Sequence, residues 1–320
     1  MKTTEGIKYV FKLKRDNAGP PDIYLGASHE QFKTKGRTKC WSISAKKYVK
    51  AAVVNLEATL AKRYMWLTTS NYPIPTNYHT SEDVSNELNA QEVQAYQVLI
   101  GELRWAVEIG RVESFLEVVL LSSHLALPQS VHLQAEYQIF GYLKQVPKRK
   151  LYFDPVSLSI SKYWFQNFEW EDFYRDAKEA IPDDMPQSRG KLMSMHCFEY
   201  VDHASEKVTS RSLRDILIFC KRVPIMWLSK KHNSVETSTF GSKFTALKLT
   251  VELVIALRYK LRVFDVPLEG PTDMLCYNEA VFKNTSTPES VLRKKYHSIT
   301  YHKCGEYFSA LTYLIYMKDT

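Results

Sequence analysis

Ser194-Met195-His196-Cys197-Phe198-Glu199-Tyr200-Val201, Asp215-Ile216-Leu217-Ile218-Phe219-Cys220 and Pro224-Ile225-Met226-Trp227-Leu228-Ser229 are three strand-length runs in immediate succession, and their reading decides the fold. Each is rich in β-branched and aromatic residues, and a glycine, proline or charged turn separates it from its neighbours. The chain then turns helical. Residues 238–264 place Phe240, Phe244, Leu247, Val251, Val254, Leu257 and Leu261 on one side of a single long helix. Residues 272–276 read as a fourth strand, 279–283 as a short helix, 290–308 as a further helical stretch and 311–317 as a last strand. Three consecutive strands, then helix, strand and helix, predict a mixed sheet with helices laid over it, an α/β (α+β) arrangement.

Upstream, the pattern changes. Residues 7–13 and 23–27 read as short strands, the second closed by Gly26, and strands this isolated predict unpaired edges across 7–27. Tyr48, Ala51, Ala52, Leu56 and Leu60 recur at helical spacing within 44–65, and the proline- and asparagine-rich stretch 71–89 is a polar loop. Asn89 followed by Glu92 predicts a capping box for a helix carrying Tyr96, Leu99, Leu103 and Val107, with a break near Gly110. A second, more apolar helix over 113–127 stops at Pro128; Ser130 is expected to cap a third that Pro147 ends. Residues 154–190, with Trp164, Phe165, Phe168, Trp170 and Phe173 before Pro182, Pro186 and Gly190, read as a tether that packs its aromatics on a neighbouring domain. The expected divisions are thus 1–153, 154–190 and 191–320.

Composition bounds the function. The 320 residues are 45% hydrophobic and 24% charged, which excludes a disordered or collagen-like chain. Forty-three Lys and Arg against 35 Asp and Glu leave a net charge of +8, and aromatics reach 13%, so polyanions are favoured partners. Five cysteines never spaced as C-x-x-C point to free thiols, with Cys220 and Cys276 as small buried hydrophobes. The N-terminus lacks a signal-peptide core, and the longest apolar run, 115–127, is too short to span a bilayer. A cytoplasmic or nuclear protein without a membrane partner is expected. No nucleophile elbow and no phosphate-cradling glycine loop occurs.

Motifs in order along the chain carry a resemblance. Tyr24-Leu25-Gly26-Ala27, the segment around Tyr48-Val49, Tyr96-Gln97-Val98-Leu99-Ile100-Gly101-Glu102-Leu103-Arg104-Trp105-Ala106 and Gly141-Tyr142-Leu143-Lys144 come first. Asp202-His203-Ala204-Ser205, Trp227-Leu228-Ser229-Lys230-Lys231, Val235-Glu236-Thr237-Ser238-Thr239-Phe240-Gly241-Ser242 and Asn284-Thr285-Ser286-Thr287-Pro288 come after them. The first set resembles the C-terminal part of copia-type retrotransposon reverse transcriptases, and the second resembles the RNase H domain that lies downstream in the same Pol polyproteins. The resemblance implies a mostly helical reverse-transcriptase tail and an RNase H-like mixed sheet with flanking helices. Its implied partners are an RNA–DNA hybrid or other nucleic acid and the remainder of a Pol polyprotein.

The residues depart from the family where its chemistry lies. No Tyr-x-Asp-Asp polymerase motif occurs, so the chain is expected to start downstream of most of the palm. RNase H chemistry needs carboxylates around two divalent ions about 3.5–4 Å apart. The family's Asp-Ala-Asp becomes Tyr200-Val201-Asp202, its helix Glu becomes Lys243, and its Cys-Asp-Asn becomes Cys276-Tyr277-Asn278. A divalent ion and a carboxylate 4 Å apart attract by about 8 kcal/mol at an effective dielectric of 20, so three losses and one added ammonium remove the site. Glu199 does not restore it, because neighbours on one strand point to opposite faces. The resemblance with these departures implies an inactive enzyme with no cofactor, Mg2+ entering only if the site were active, and Asp202 as the one remaining metal-ligand candidate. Two alternatives stay open: an active RNase H-type endonuclease, and a non-enzymatic nucleic-acid-binding protein. Lys230, Lys231, Lys294, Lys295 and Lys303, with His297 and His302, are candidate phosphate contacts or solvated faces, as are Lys221-Arg222 and Arg258-Lys260-Arg262. Asp202-His203 has the residue types of a catalytic pair but reads better as a surface turn.

Overall fold

The computed structural model describes residues 22–34, 36, 38–75, 78, 85–160, 174, 178–179, 181–203, 210–286 and 295–317. The strand expected at 7–13, the tether aromatics Trp164, Phe165, Phe168, Trp170 and Phe173, and Lys294 lie outside them.

A small antiparallel sheet opens the described chain: β1 (Ile23–Tyr24), β2 (Ala27–Lys33), β3 (Lys39–Ser44) and β4 (Leu151–Phe153), in that order. Leu25 and Gly26, at φ 53° and 88°, make the two-residue turn between β1 and β2. Two successive left-handed residues match the twist of a tight hairpin. Within the region expected to have unpaired edges, Ile23 pairs with Ser28 and Tyr24 with Ala27, so β1 is paired on one side and forms an outer edge of the sheet on the other. Periodicity missed β3 because its inward positions are the small Cys40, Ser42 and Ser44, which carry little hydrophobic signal.

Four helices complete this half: α1 (Lys46–Ala61), α2 (Ala90–Glu108), α3 (Phe115–Ser122) and α4 (Ser130–Gln145). They bury Val53, Leu56, Tyr96, Ile100, Leu103, Leu121, Ile139 and Phe140 in one core. The capping box at Asn89 is present in full, its side chain accepting from the Gln91 and Glu92 amides while Glu92 accepts from Asn89. Two expectations need correction. α3 ends at Ser122, well before Pro128, and the Ser122 and Ser123 hydroxyls donate to the Val118 and Leu120 carbonyls of its last turns. Ser130 is helical, and the cap is Gln129, whose amide donates to His132 Nδ1 at 3.0 Å. Gly141 is required by close approach, since a Cβ there would lie 2.2 Å from the Thr68 carbonyl oxygen.

The second sheet runs β7-β6-β5-β8-β9, from β5 (Met195–Val201), β6 (Leu213–Cys220), β7 (Val223–Lys231), β8 (Thr272–Cys276) and β9 (Thr312–Tyr316). β5, β6 and β7 are antiparallel neighbours, whereas β8 and β9 run parallel to β5. The helices are α5 (Thr239–Val263), capped by Ser238, α6 (Glu279–Ser286) and α7 (Lys295–Ala310). This is the mixed sheet with flanking helices that the three opening runs predict, an RNase H-like α/β unit. Met195, Cys197, Ile216 and Ile218 bury against Phe244, Leu247 and Val251 of α5. All five cysteines are buried and unpaired with one another.

Arg258 is not a solvated base. Only 3% exposed, it donates from Nε and Nη2 to the two oxygens of Glu179 at 3.2 and 2.8 Å, and from Nη1 to Gly270 and Thr272. Arg262 donates to the same carboxylate through Nε at 2.9 Å and through a second N–H. Glu179 thus fastens the segment before the second sheet to the last turns of α5. Burial alone would raise its pKa, but hydrogen bonds from Arg262 and Arg258 outweigh that and hold it at about 2. A folded-state pKa below the usual 4.5 means stability present above that value and lost as pH falls toward 2. Glu179→Gln is expected to cost about 2 kcal/mol at neutral pH, discounted for partial exposure, and to flatten the acid side of the stability profile. Urea unfolding across acidic pH measures both; an unchanged acid slope in the variant would contradict the clamp.

Candidate functional site

The pleat of β5 sorts the residues of interest onto two faces. Glu199 is buried at 6% exposure on the α5 face, beside Met195 and Cys197, while the next residue, Tyr200, is 55% exposed on the other. Tyr277, directly after β8, joins Tyr200: their rings lie 6.4 Å apart, edge to face. Lys243, in the first turns of α5, is close enough to the Glu199 carboxyl to act on it. Of the four positions taken from the resemblance, the structure brings Tyr200 and Tyr277 together and sets Lys243 on the opposite side of the sheet. The residue of β5 that shares a face with Lys243 is Glu199.

Asp202 comes directly after β5 and closes the hairpin to β6. Its Oδ1 accepts the Leu213 amide at 2.6 Å, and its own amide donates to the Leu213 carbonyl at 3.2 Å. The surface-turn reading of Asp202-His203 is therefore the structural one: a backbone clasp with an exposed His203 ring, whose Nδ1 meets Ser242 Oγ at 2.9 Å. Ser242 also receives the Ser212 hydroxyl at 3.1 Å, and the Ser238 hydroxyl caps Gly241.

Around Glu199 the charges are mixed. Burial pushes its carboxyl up to about 8, opposed by Arg214 and Lys243. Arg214, on β6 and 7% exposed, shares the face of Ile216 and Ile218, and its Nε has no hydrogen-bond partner among the described residues. His232 is 4% exposed, and its pKa is lowered by burial and by Arg214. Arg214 and His232 were missed by sequence reasoning. A signal existed for Arg214, since it continues the inward alternation of Ile216 and Ile218.

The donor set does not fit a pair of divalent ions. Among the described residues no group of three or more His, Cys, Asp and Glu can hold a metal ion. Asp202 is engaged by a backbone amide, and the acid nearest Lys243 has a guanidinium and an ammonium for neighbours. No reaction step is drawn through metal at this site.

The candidate phosphate contacts do not converge either. Lys230 and Lys231 end β7 at one edge of the sheet. Lys295 opens α7, which packs by β9 at the other edge, roughly 19 Å away at about 4.8 Å per strand. Lys303 is paired with Glu252 at 3.2 Å, and His302 Nδ1 meets the Tyr174 hydroxyl at 3.2 Å. No described helix is long and apolar enough to cross a membrane.

The architecture is a helical half with a small antiparallel sheet, followed by a five-stranded mixed sheet with flanking helices. The chain is similar to the retrovirus-related Pol polyprotein from transposon RE1 of Arabidopsis thaliana, 21% identical over 207 residues. That match covers 65% of this chain and 12% of the relative, and it shows the resemblance to copia-type Pol polyproteins. No family model matches. Among solved structures, LC11-RNase H1, isolated from compost, is similar over 38% of this chain and 84% of its own at 10% identity and a TM-score of 0.29. The fold rests on the strand order, not on that likeness.

A carboxyl buried and held near 8 stays protonated in the folded state while the unfolded chain ionises it from 4.5 upward, so its contribution to stability falls as pH rises from about 4.5 to 8. Glu199→Gln, which keeps the shape and removes the titration, is expected to gain on the order of a few kcal/mol at alkaline pH and nothing at pH 4. Thermal unfolding at both extremes decides it; equal gains at both would sink the assignment.

Proposed function

We propose that this chain is a catalytically inactive Pol-derived protein, whose residues 1–153 correspond to a reverse-transcriptase tail, 154–190 to a tether and 191–320 to a degenerate RNase H-like domain. The observation that supports inactivity is the charge at the N-terminal end of α5, where Lys243 and Arg214 flank the single buried acid of that face, Glu199. Two-metal hydrolysis needs converging anionic oxygens, and adding cations reverses the field that would gather the ions. Asp202 remains as a carboxylate, but it works as a hairpin clasp.

Nucleic-acid contact is proposed on the net charge of +8 alone, which is a sequence-independent attraction. Because the lysines stand at opposite sheet edges, that attraction is expected to be weak and diffuse.

An RNA–DNA hybrid incubated with the protein and Mg2+ or Mn2+ is expected to stay intact, and filter binding is expected to show retention at low salt that disappears at physiological salt. Metal-dependent cleavage abolished by Asp202→Asn would overturn inactivity. Absence of retention even at low salt would remove nucleic-acid contact from the proposal.

A further inference from the structure

A cleft of about 510 Å³ lies between α3 and the face of the second sheet opposite α5. Cross-strand rows build its floor. Phe198, Leu217 and Trp227 stand side by side on β5, β6 and β7, and Tyr200 and Asp215 occupy the next row. Tyr277 closes the end beyond Tyr200, and Phe115, Leu116 and Glu117 of α3 form the facing wall. The cleft is therefore assembled from both halves of the chain, and the two tyrosines standing where the family has acids line it.

Its electrostatics are one-sided. Asp215 Oδ1 and Glu117 Oε2, one from each wall, are buried without a hydrogen-bond partner among the described residues. Each is raised above the usual carboxylate range, first by burial and further by another acid, Asp202 for Asp215 and Glu113 for Glu117. The Ser229 hydroxyl and the Glu117 backbone oppose this only in part. Arg111, on the helical side but outside the lining, donates from Nε to Glu113 at 2.7 Å, while its Nη1 and Nη2 are buried without a hydrogen-bond partner among the described residues. Each carboxyl keeps one oxygen buried without a partner, and a cation in the cleft would recover part of what that costs. Aromatic walls favour a weakly hydrated organic cation over a small metal ion, because ring faces attract positive charge but supply no ligand oxygens to replace a tightly held hydration shell. A neutral apolar guest would fill the space and leave both carboxylates uncompensated.

We propose that this cleft binds a compact organic cation of the quaternary or methylated ammonium class, packed on Trp227, Tyr200 and Tyr277 with Asp215 and Glu117 as its counter-charges. The site is independent of any hydrolytic activity and of nucleic-acid contact.

Isothermal titration of the full chain with choline, and with its neutral tert-butyl isostere, tests this. Choline is expected to give a saturable isotherm, with the neutral isostere at least about tenfold weaker because it lacks the charge. Asp215→Asn and Glu117→Gln are near-isosteric, so folding is preserved, and each is expected to weaken choline about five- to tenfold. Trp227→Leu removes the largest ring and is expected to abolish the signal; circular dichroism checks its fold, and the two carboxamide variants carry the test if it unfolds. No saturable heat with choline, equal binding of the neutral isostere, or unchanged affinity in both carboxamide variants would each overturn the proposal.

Discussion

The period-two pleat of β5 is the constraint on which the second half of the molecule depends. It sends Met195, Cys197 and Glu199 toward α5 and Phe198 and Tyr200 toward α3. One face packs on α5, the other opens on the cleft beneath α3, and both of its edges are paired, antiparallel to β6 and parallel to β8. A slip of one residue would drive Phe198 and Tyr200 into the packed side of Phe244 and Leu247 and expel Met195 and Cys197. Register is thereby fixed by residues with no chemistry of their own, and it sets the surroundings of Glu199 and Tyr200.

Four acids illustrate what those surroundings do. Glu179, gripped by two arginines, is held far below the ordinary carboxylate range in spite of burial. Glu199, buried with Arg214 and Lys243 near but with Oε2 unpartnered, is held far above it. Asp215 and Glu117 are also raised, by burial and by further acids. The residue type is nearly constant; what differs is whether charge-assisted hydrogen bonds offset the loss of water. An acidic side chain thus serves as a charged fastener at Glu179 and keeps its proton at Glu199.

Much of the fold was legible because it rests on local pattern. The strand at residues 272–276, the long helix begun by Ser238 and the Asn89 capping box all depend on neighbours within a few positions. Failures arose where a remote partner intervened. The start of α4 is a local exception, since the Gln129 amide meets His132 only three residues on, a pair of residue types that gives no usual capping signal. β3 hides behind small inward residues and is completed by β4, which lies beyond the whole helical block in sequence. Of the candidate site, Tyr200 and Tyr277 were named from the family resemblance and do meet, whereas Lys243 faces Glu199 instead.

From its residues alone the chain determined the order of strands and helices in its second half and the excess of positive charge, while the replacement of acids at Tyr200, Lys243 and Tyr277 is what the family resemblance implies. Element order and charge are properties of composition, spacing and periodicity, which survive without contacts. Only the tertiary structure decided which acids acquire bases, that Arg258 holds Glu179, and that α3 covers the sheet face bearing Tyr200, Asp215 and Trp227. The physical reason is that desolvation and Coulomb interactions depend on distance in space, and the pairs concerned lie on different elements brought together by packing.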